Sequence, residues 1–257
     1  MADKFFWYEL MTTDQDAAVA FYSEVVGWNS AEMPGGMRYI LLSAGERSVG
    51  GVLQLTAEME AGGAKPGWIG YIHVADVDAR LAEIGEAGGR TLMPAQEIEG
   101  VGRFAMAADP GGAPFYVMAP KPPEGQGPLA DLPSTTPGAF SWHELYAGNG
   151  QEAAFAFYSG LFGWETMHEM DMGPMGVYRV FGADGVQLGG MMDKPAGIPA
   201  SSWGFYATVD GIDAAIARLT AGGGTVLMGP HEVPGGSWIV QAQDPQGAAF
   251  ALTSATK

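Results

Sequence analysis

Cysteine is absent from this 257-residue chain. Disulfides, thiolate metal centres and cysteine nucleophiles are therefore excluded. The opening Met1-Ala2-Asp3-Lys4-Phe5 has no basic segment followed by an apolar run and a small-residue cleavage site, so a cytoplasmic location is expected. No uninterrupted apolar run approaches the roughly 18 residues of a membrane span, and no membrane partner is expected. Basic residues are also scarce: 12 Lys and Arg stand against 29 Asp and Glu, a formal charge of −17. Recognition of phosphate backbones needs clustered Lys and Arg, which excludes nucleic acid as a partner. The charge favours a neutral or cationic small molecule. The 40 glycines and 17 prolines stay below a disordered composition, and 47% hydrophobic residues suffice for a substantial core.

What the chain does contain is itself, twice. Trp7-Tyr8-Glu9-Leu10 returns as Trp142-His143-Glu144-Leu145, and Ala20-Phe21-Tyr22-Ser23 as Ala156-Phe157-Tyr158-Ser159. Gly27-Trp28 returns as Gly163-Trp164, Gly50-Gly51 as Gly189-Gly190, Trp68 and Tyr71 as Trp203 and Tyr206, and Asp109-Pro110 as Asp244-Pro245. Between the copies, residues 120–137 are proline-rich and poor in bulky apolar side chains, the composition of a semi-rigid linker. Two homologous domains are expected, 1–119 and 138–257.

Each copy divides again. Phe5–Leu10 patterns as a strand. Asp14 caps a helix from Gln15 to Val26 that Gly27 closes, with Val19, Tyr22 and Val26 on one stripe. Strands follow at 38–43 and 48–55. The second half opens on a strand at 68–74, then a helix capped by Asp76 with Val77, Leu81 and Ile84 on one face, then strands at 91–94, 102–107 and 115–119. The second copy repeats this, with Phe155, Tyr158 and Phe162 on one helix and Ile212, Ile216 and Leu219 on another. Strand–helix–strand–strand–strand thus occurs four times. This predicts an α+β fold, with helices on the outer face of curved, mostly antiparallel sheets.

The run from Asp14 through Tyr22 followed by Gly27-Trp28 resembles the opening module of the vicinal oxygen chelate superfamily, which includes glyoxalase I, extradiol dioxygenases and the bleomycin-resistance proteins. Val74-Ala75-Asp76-Val77-Asp78-Ala79 resembles the opening of its second module. Asp109-Pro110-Gly111-Gly112-Ala113 and Asp244-Pro245-Gln246-Gly247-Ala248 resemble its closing turn. The paired Trp-x-Glu-Leu openings look most like tandem glyoxalase-like proteins. The resemblance implies paired βαβββ modules around a cup. It also implies, in many members, a divalent metal held by His and Glu that chelates two substrate oxygens. Carried over by position, the ligand sites fall on Trp7 and Trp142, on Trp68 or Ile69 and Trp203 or Gly204, and on Tyr116 and Ala251. None supplies imidazole or carboxylate, so no metal ligands and no cofactor are expected.

Trp7 and Glu9, like Trp142 and Glu144, lie two apart and share one side of a strand. Glu9 and Glu144 are candidate general bases or partners for a ligand cation; the structural alternative is a cap or ion pair. Trp7, Trp68, Tyr71, Tyr116, Trp142, Trp203 and Tyr206 are candidate ligand contacts, against core packing. Ala251 opposite Tyr116 makes the two cups unequal. His143 alternates away from Trp142, and Ala147 breaks a zinc-protease motif. His73 is expected to be structural, and His168 and His231 to lie in loops. The glycine pairs fit close strand packing better than a phosphate loop. Met170, Met172, Met175, Met191 and Met192 are expected to fill irregular core space.

The expected function is metal-independent binding of a small planar or cationic molecule in an aromatic-lined cup. The alternatives are a lyase, isomerase or dioxygenase of the glyoxalase I type with a divalent metal engaging Glu9, Glu144 or His143, and a metal-free enzyme using Glu9 or Glu144 as base. The chain is expected as a monomer with an internal pseudo-dimer, or as a homodimer.

Overall fold

A computed structural model of the protein describes residues 3–34, 36, 38–121 and 132–257. Most of the proline-rich segment, 122–131, lies outside the described residues. The first repeat contains β1 (Phe5–Thr12), α1 (Gln15–Val26), β2 (Asn29–Glu32), β3 (Tyr39–Ala44), β4 (Arg47–Gln54), α2 (Ala57–Ala61), β5 (Gly67–His73), α3 (Val77–Glu86), β6 (Arg90–Ile98), β7 (Gly102–Ala108) and β8 (Pro114–Pro120). The second contains β9 (Phe140–Ala147), α4 (Gln151–Phe162), β10 (Glu165–Asp171), a 3-10 turn at Gly173–Met175, β11 (Val177–Ala183), β12 (Val186–Asp193), β13 (Ser202–Thr208), α5 (Ile212–Ala221), β14 (Thr225–Glu232), β15 (Trp238–Gln243) and β16 (Ala249–Ser254).

Each repeat forms one eight-stranded sheet, ordered β2-β3-β4-β1-β5-β8-β7-β6 and β10-β11-β12-β9-β13-β16-β15-β14. The sheets are mixed: β1 with β4, β5 with β8, β9 with β12 and β13 with β16 run parallel, the hairpins antiparallel. A parallel pair needs a crossover, and the βαβββ order provides it. Asp14 accepts from Ala17 N at 3.0 Å and Asp76 from Ala79 N at 3.1 Å, so α1 and α3 begin on the expected caps. Gly27 closes α1 at φ 88°, a conformation glycine adopts without side-chain strain.

Several elements differ from the patterning. All four residues of β2 are exposed, so no alternation marks it. The buried stripe of α1 is Ala18, Phe21, Tyr22, Val25 and Val26, with Val19 only half-buried. His168 and His231 stand in β10 and β14 rather than in loops. Met191 and Met192 are core, but Met172 and Met175 are exposed around the 3-10 turn, which has too few apolar neighbours to bury them.

Packing gathers the chain into two compact units that do not follow the repeats. One comprises Met1–Phe6, Gly70–Asp131 and His143–Trp203; the other comprises Trp7–Ile69, Leu132–Trp142 and Gly204–Lys257. In the second unit α1 of the first repeat packs with α5 of the second, and their core joins Leu10, Phe21, Tyr22, Val25 and Trp28 to Ile212, Leu219, Val240, Phe250 and Leu252.

A polar relay fastens each helix-side core. In the second unit Trp68 Nε1 donates to Tyr22 Oη at 2.9 Å, and Tyr22 Oη donates to Asp244 Oδ2 at 3.1 Å. Asp244 Oδ1 accepts from Gln246 N at 3.0 Å and Ala248 N at 2.8 Å. In the first unit Trp203 donates to Tyr158 at 2.9 Å and Tyr158 to Asp109 at 3.2 Å, while Ala113 N donates to Asp109 at 2.8 Å. Burial, reinforced by the neighbouring carboxylate, holds both phenols well above the usual tyrosine range, so they stay protonated and donate. Burial pushes both aspartates up, and the same amides and phenols oppose it.

Asp244→Ala would orphan the Tyr22 hydroxyl and two turn amides, and is expected to destabilise the full chain by about 3 kcal/mol. Tyr22→Phe is expected to remove about 2 kcal/mol. Urea unfolding of each variant checks both, and an Asp244→Ala effect below that of an exposed control substitution would refute the relay's role.

Candidate functional site

Strand alternation defines the face of each sheet away from its helices. Leu10 belongs to the helix-side core, so Trp7 and Glu9 point the other way. Glu9 is paired with Gly51 of β4, and Glu144 with Gly190 of β12. A side chain on Gly51 would overlap the Tyr39 ring, and one on Gly190 the Tyr178 ring. A side chain on Gly50 or Gly189 would overlap the carbonyl of Tyr8 or His143. The glycine pairs thus do two things: one member allows close strand approach, and the other makes room for a tyrosine ring beside a glutamate.

Tyr178 Oη donates to Glu144 Oε1 at 3.1 Å, and both residues are buried, at 9% and 8% exposure. In the first repeat Trp7 Nε1 donates to Tyr39 Oη at 3.1 Å, and Glu9 is buried at 6% exposure. Indole nitrogen only donates, so the Tyr39 oxygen accepts in that contact and its own proton points elsewhere. Trp142 follows the same alternation in β9 and is half-buried.

The remaining aromatic candidates divide between the two faces. Tyr71 stacks on its cross-strand partner Tyr116 with centroids 4.2 Å apart and planes 11° apart, and Phe104 lies 6.0 Å from Tyr116. In the second repeat Tyr206 is paired with Ala251, and Gln241 Nε2 donates to Tyr206 Oη at 2.8 Å. Trp68 precedes Tyr71 by three strand positions, as Trp203 precedes Tyr206, so each tryptophan faces the opposite side. There Trp68 packs against Tyr22 and Trp28, and Trp203 against Tyr158 and Trp164, as the donors of the helix-side relays. The structure therefore brings Tyr71 to Tyr116 and Trp7 to Tyr39, and separates Trp68 and Trp203 from the tyrosines of their own strands.

His143 is buried in the first unit, stacked on Phe5 at 4.8 Å, with Nδ1 2.5 Å from Leu188 O. A carbonyl only accepts, so Nδ1 carries the proton. Burial lowers its pKa to about 4, against the opposing pull of the Leu188 bond. It is a packing histidine. In the first repeat Tyr8 takes this position and stacks on Phe140 at 3.9 Å.

The donor set does not fit the metal that the fold suggests. The carried-over positions hold indole, phenol and methyl groups. Among the described residues no three His, Asp or Glu side chains gather as a metal site needs. A surface depression of about 470 Å³ at the start of α4, lined by Asn149, Gln151, Glu152 and Asp193 among others, includes none of the candidate residues. Tyr39, Tyr178 and Gln241 were not singled out by sequence. Tyr39 and Tyr178 recur at the same spacing before each glycine pair, and that recurrence was the available signal.

Residues 4–117 and 143–252 each match the family described as the Glyoxalase/Bleomycin resistance protein/Dioxygenase superfamily. The chain is 34% identical over 253 residues to the putative glyoxylase CFP32 of Mycobacterium tuberculosis, covering 96% of this chain and 92% of that one. It is 28% identical over 260 residues to the anthracycline biosynthesis protein DnrV of Streptomyces peucetius, covering 96% and 91%. Among solved structures, the Mn(II)-bound glyoxalase from Novosphingobium aromaticivorans has TM-score 0.65 at 16% identity, covering 100% of this chain and 83% of that one. The 2,2',3-trihydroxybiphenyl 1,2-dioxygenase of Sphingomonas wittichii has TM-score 0.68 at 12% identity, covering 99% and 91%. At these identities the two structures show a shared fold.

The low pKa of His143 has a signed consequence. Between its ordinary value near 6.5 and about 4, the unfolded chain binds a proton that the folded chain refuses. Its contribution is complete above that window and is lost as pH falls through it, by about 3 kcal/mol in all. His143→Tyr, the residue of the first repeat, is expected to flatten this acid limb. Unfolding curves from pH 7 to pH 4 measure it, and an unchanged slope would count against a buried neutral imidazole.

Proposed function

The chain belongs to the Glyoxalase/Bleomycin resistance protein/Dioxygenase superfamily, and from that premise we propose that this glyoxalase-like protein binds a small planar or cationic molecule without a metal centre. The observation that carries the reading is the composition of the face away from the helices: stacked phenols at Tyr71 and Tyr116, and buried carboxylates beside tyrosine rings at Glu9 and Glu144. Stacked phenols offer a planar partner π-face contact worth about 0.5–1.5 kcal/mol per ring pair. A carboxylate in a desolvated setting attracts a cation more strongly than one in water. The chain's acidity draws the same class of ligand at long range. The relative named for anthracycline biosynthesis supports a ring-bearing ligand.

On this reading Trp7 and Trp142 border the carboxylates, Tyr71, Tyr116 and Tyr206 supply aromatic surface, and Trp68 and Trp203 act indirectly, by packing the strands that carry Tyr71 and Tyr206. Glu9 and Glu144 serve as ligand anchors. The positions expected to hold a metal carry no imidazole or carboxylate donor. We propose a cytoplasmic location. No helix among the described residues is long and apolar enough to cross a membrane.

Titration of the full chain with proflavine, a planar cation, is expected to quench tryptophan fluorescence saturably. Tyr116→Ala, the residue of the second repeat, is expected to weaken binding about fivefold through lost stacking. A flat response to proflavine and to neutral planar aromatics would overturn the binding reading. Stoichiometric Mn, Fe, Ni or Zn in protein purified without chelator would overturn its metal-free part.

A further inference from the structure

We propose that the outer edge of the second sheet carries a binding site for a soft monovalent cation of the Cu(I) class, built from the thioethers of Met170, Met172 and Met175 and the imidazole of His168. The inference goes beyond the binding reading above and does not depend on it. Strand β10 lies three strands from β9, which carries Trp142 and Glu144, a span of about 14 Å.

Three observations carry it. First, the donors are concentrated. The run Met167-His168-Glu169-Met170-Asp171-Met172-Gly173-Pro174-Met175 holds four of the chain's 15 methionines and one of its four histidines. The equivalent edge strand of the first repeat, β2, is only Asn29–Glu32 and contains neither residue type. The longer strand and its donors belong to the second repeat alone.

Second, the backbone brings these donors to one end of one strand. Cross-strand partners in an antiparallel pair share a face. His168 is opposite Val180 and Met170 opposite Tyr178. Between those partners Arg179 lies over the Phe155 ring of α4 at 4.7 Å and pairs with Glu169 at 2.7 Å, which marks the helix side. His168 and Met170 therefore share the face away from the helices, about 6.7 Å apart along the strand. Met172 N donates to Gly176 O at 2.8 Å, Gly173 N to Asp171 Oδ1 at 2.8 Å, and Met175 N to Met172 O at 3.3 Å. These bonds fold the chain into the 3-10 turn and return Met175 to the same end of β10.

Third, the donors are accessible. Met172 and Met175 are 38% and 54% exposed, His168 is exposed and Met170 half-buried, whereas Met191 and Met192 are core. A methionine in water forgoes the packing that is its usual role. What it offers there is a neutral, polarisable sulfur, a donor that selects Cu(I) over zinc, magnesium or calcium, and imidazole is a compatible partner. Methionine's three rotatable bonds let neighbouring side chains close on one ion. The chain has no cysteine, so no thiolate competes for a soft cation, and its charge of −17 concentrates cations at the surface.

The test uses Ag(I), an air-stable probe of the same class, with methyl-13C-methionine NMR of the full chain in chloride-free buffer. Saturable one-to-one shifts are expected at the methyls of Met170, Met172 and Met175 and at the His168 ring. Met228, 41% exposed and the sole methionine of β14, and buried Met191 are expected to stay in place. Zn(II) is expected to move none of the methyls. Met170→Leu/Met172→Leu keeps the apolar bulk and is expected to weaken Ag(I) binding about a hundredfold, and His168→Gln about tenfold, with the remaining methyl signals verifying the fold. Cu(I) under argon is expected to reproduce the wild-type shifts. Shifts that fail to saturate, that appear as strongly at Met228, or that persist with wild-type affinity in the double variant would overturn the inference.

Discussion

The hydrogen bond from a helix tyrosine to the aspartate of a closing turn is the constraint on which the rest of this structure depends. Tyr22 and Asp244 are 222 residues apart in the chain, yet their side chains meet at 3.1 Å inside one core. The bond joins the first module of one repeat to the second module of the other. Its counterpart, Tyr158 with Asp109, does the same in reverse. Burying a carboxylate is expensive unless every lone pair finds a donor, and here a phenol and turn amides supply them. Once that network is satisfied, the helix cannot slide along the sheet without orphaning several polar groups at once. Trp68 and Trp203 extend each network by one donor and cover it with an indole ring.

The same three side-chain types recur on the other face with a different balance. There the rings sit over glycine, close to the strand backbone, and the acids lie in mid-strand rather than in a turn. The helix face is closed by phenol and turn-amide donors, and the opposite face carries tyrosine rings with glutamates beside them. Strand alternation separates the two sets cleanly: Trp68 and Tyr71, or Trp203 and Tyr206, are neighbours in sequence and serve opposite sides of one sheet. Side chains on the two faces can therefore vary independently along the same strand.

This separation also decides how much was legible in advance. The duplication, the four modules, the α+β class and the helix caps at Asp14 and Asp76 follow from recurring motifs with local physical causes. The acidic turn motifs were legible as turns, but not as partners of Tyr158 and Tyr22, because the pairing joins modules across the two repeats. The candidate contacts Trp68 and Tyr71 are three residues apart on β5, an offset that places them on opposite faces. A lone tyrosine in an apolar strand, as at Tyr39 and Tyr178, has the pattern of packing; only the glycine opposite each one reveals where the ring lies. The exposed strand β2 carries no alternation at all, since neither of its faces is covered.

Comparison of the repeats then distinguishes the parts that are held in common from the parts that have diverged. Both copies keep the indole–phenol–aspartate relay and the glycine beneath a tyrosine ring. They differ at Tyr116 against Ala251, at Met106 against Gln241 and at Tyr8 against His143. The first two differences fall on the face away from the helices, in β7, β8, β15 and β16, and they change its character from stacked rings to a phenol held by an amide. Such changes leave the helix-side core intact, because they exchange groups on the side of the strand that the core does not use. A ligand that needs two stacked rings would be served by the first sheet, and one that needs a fixed phenol dipole by the second. The duplicated scaffold therefore provides two chemically distinct surfaces rather than the same surface twice.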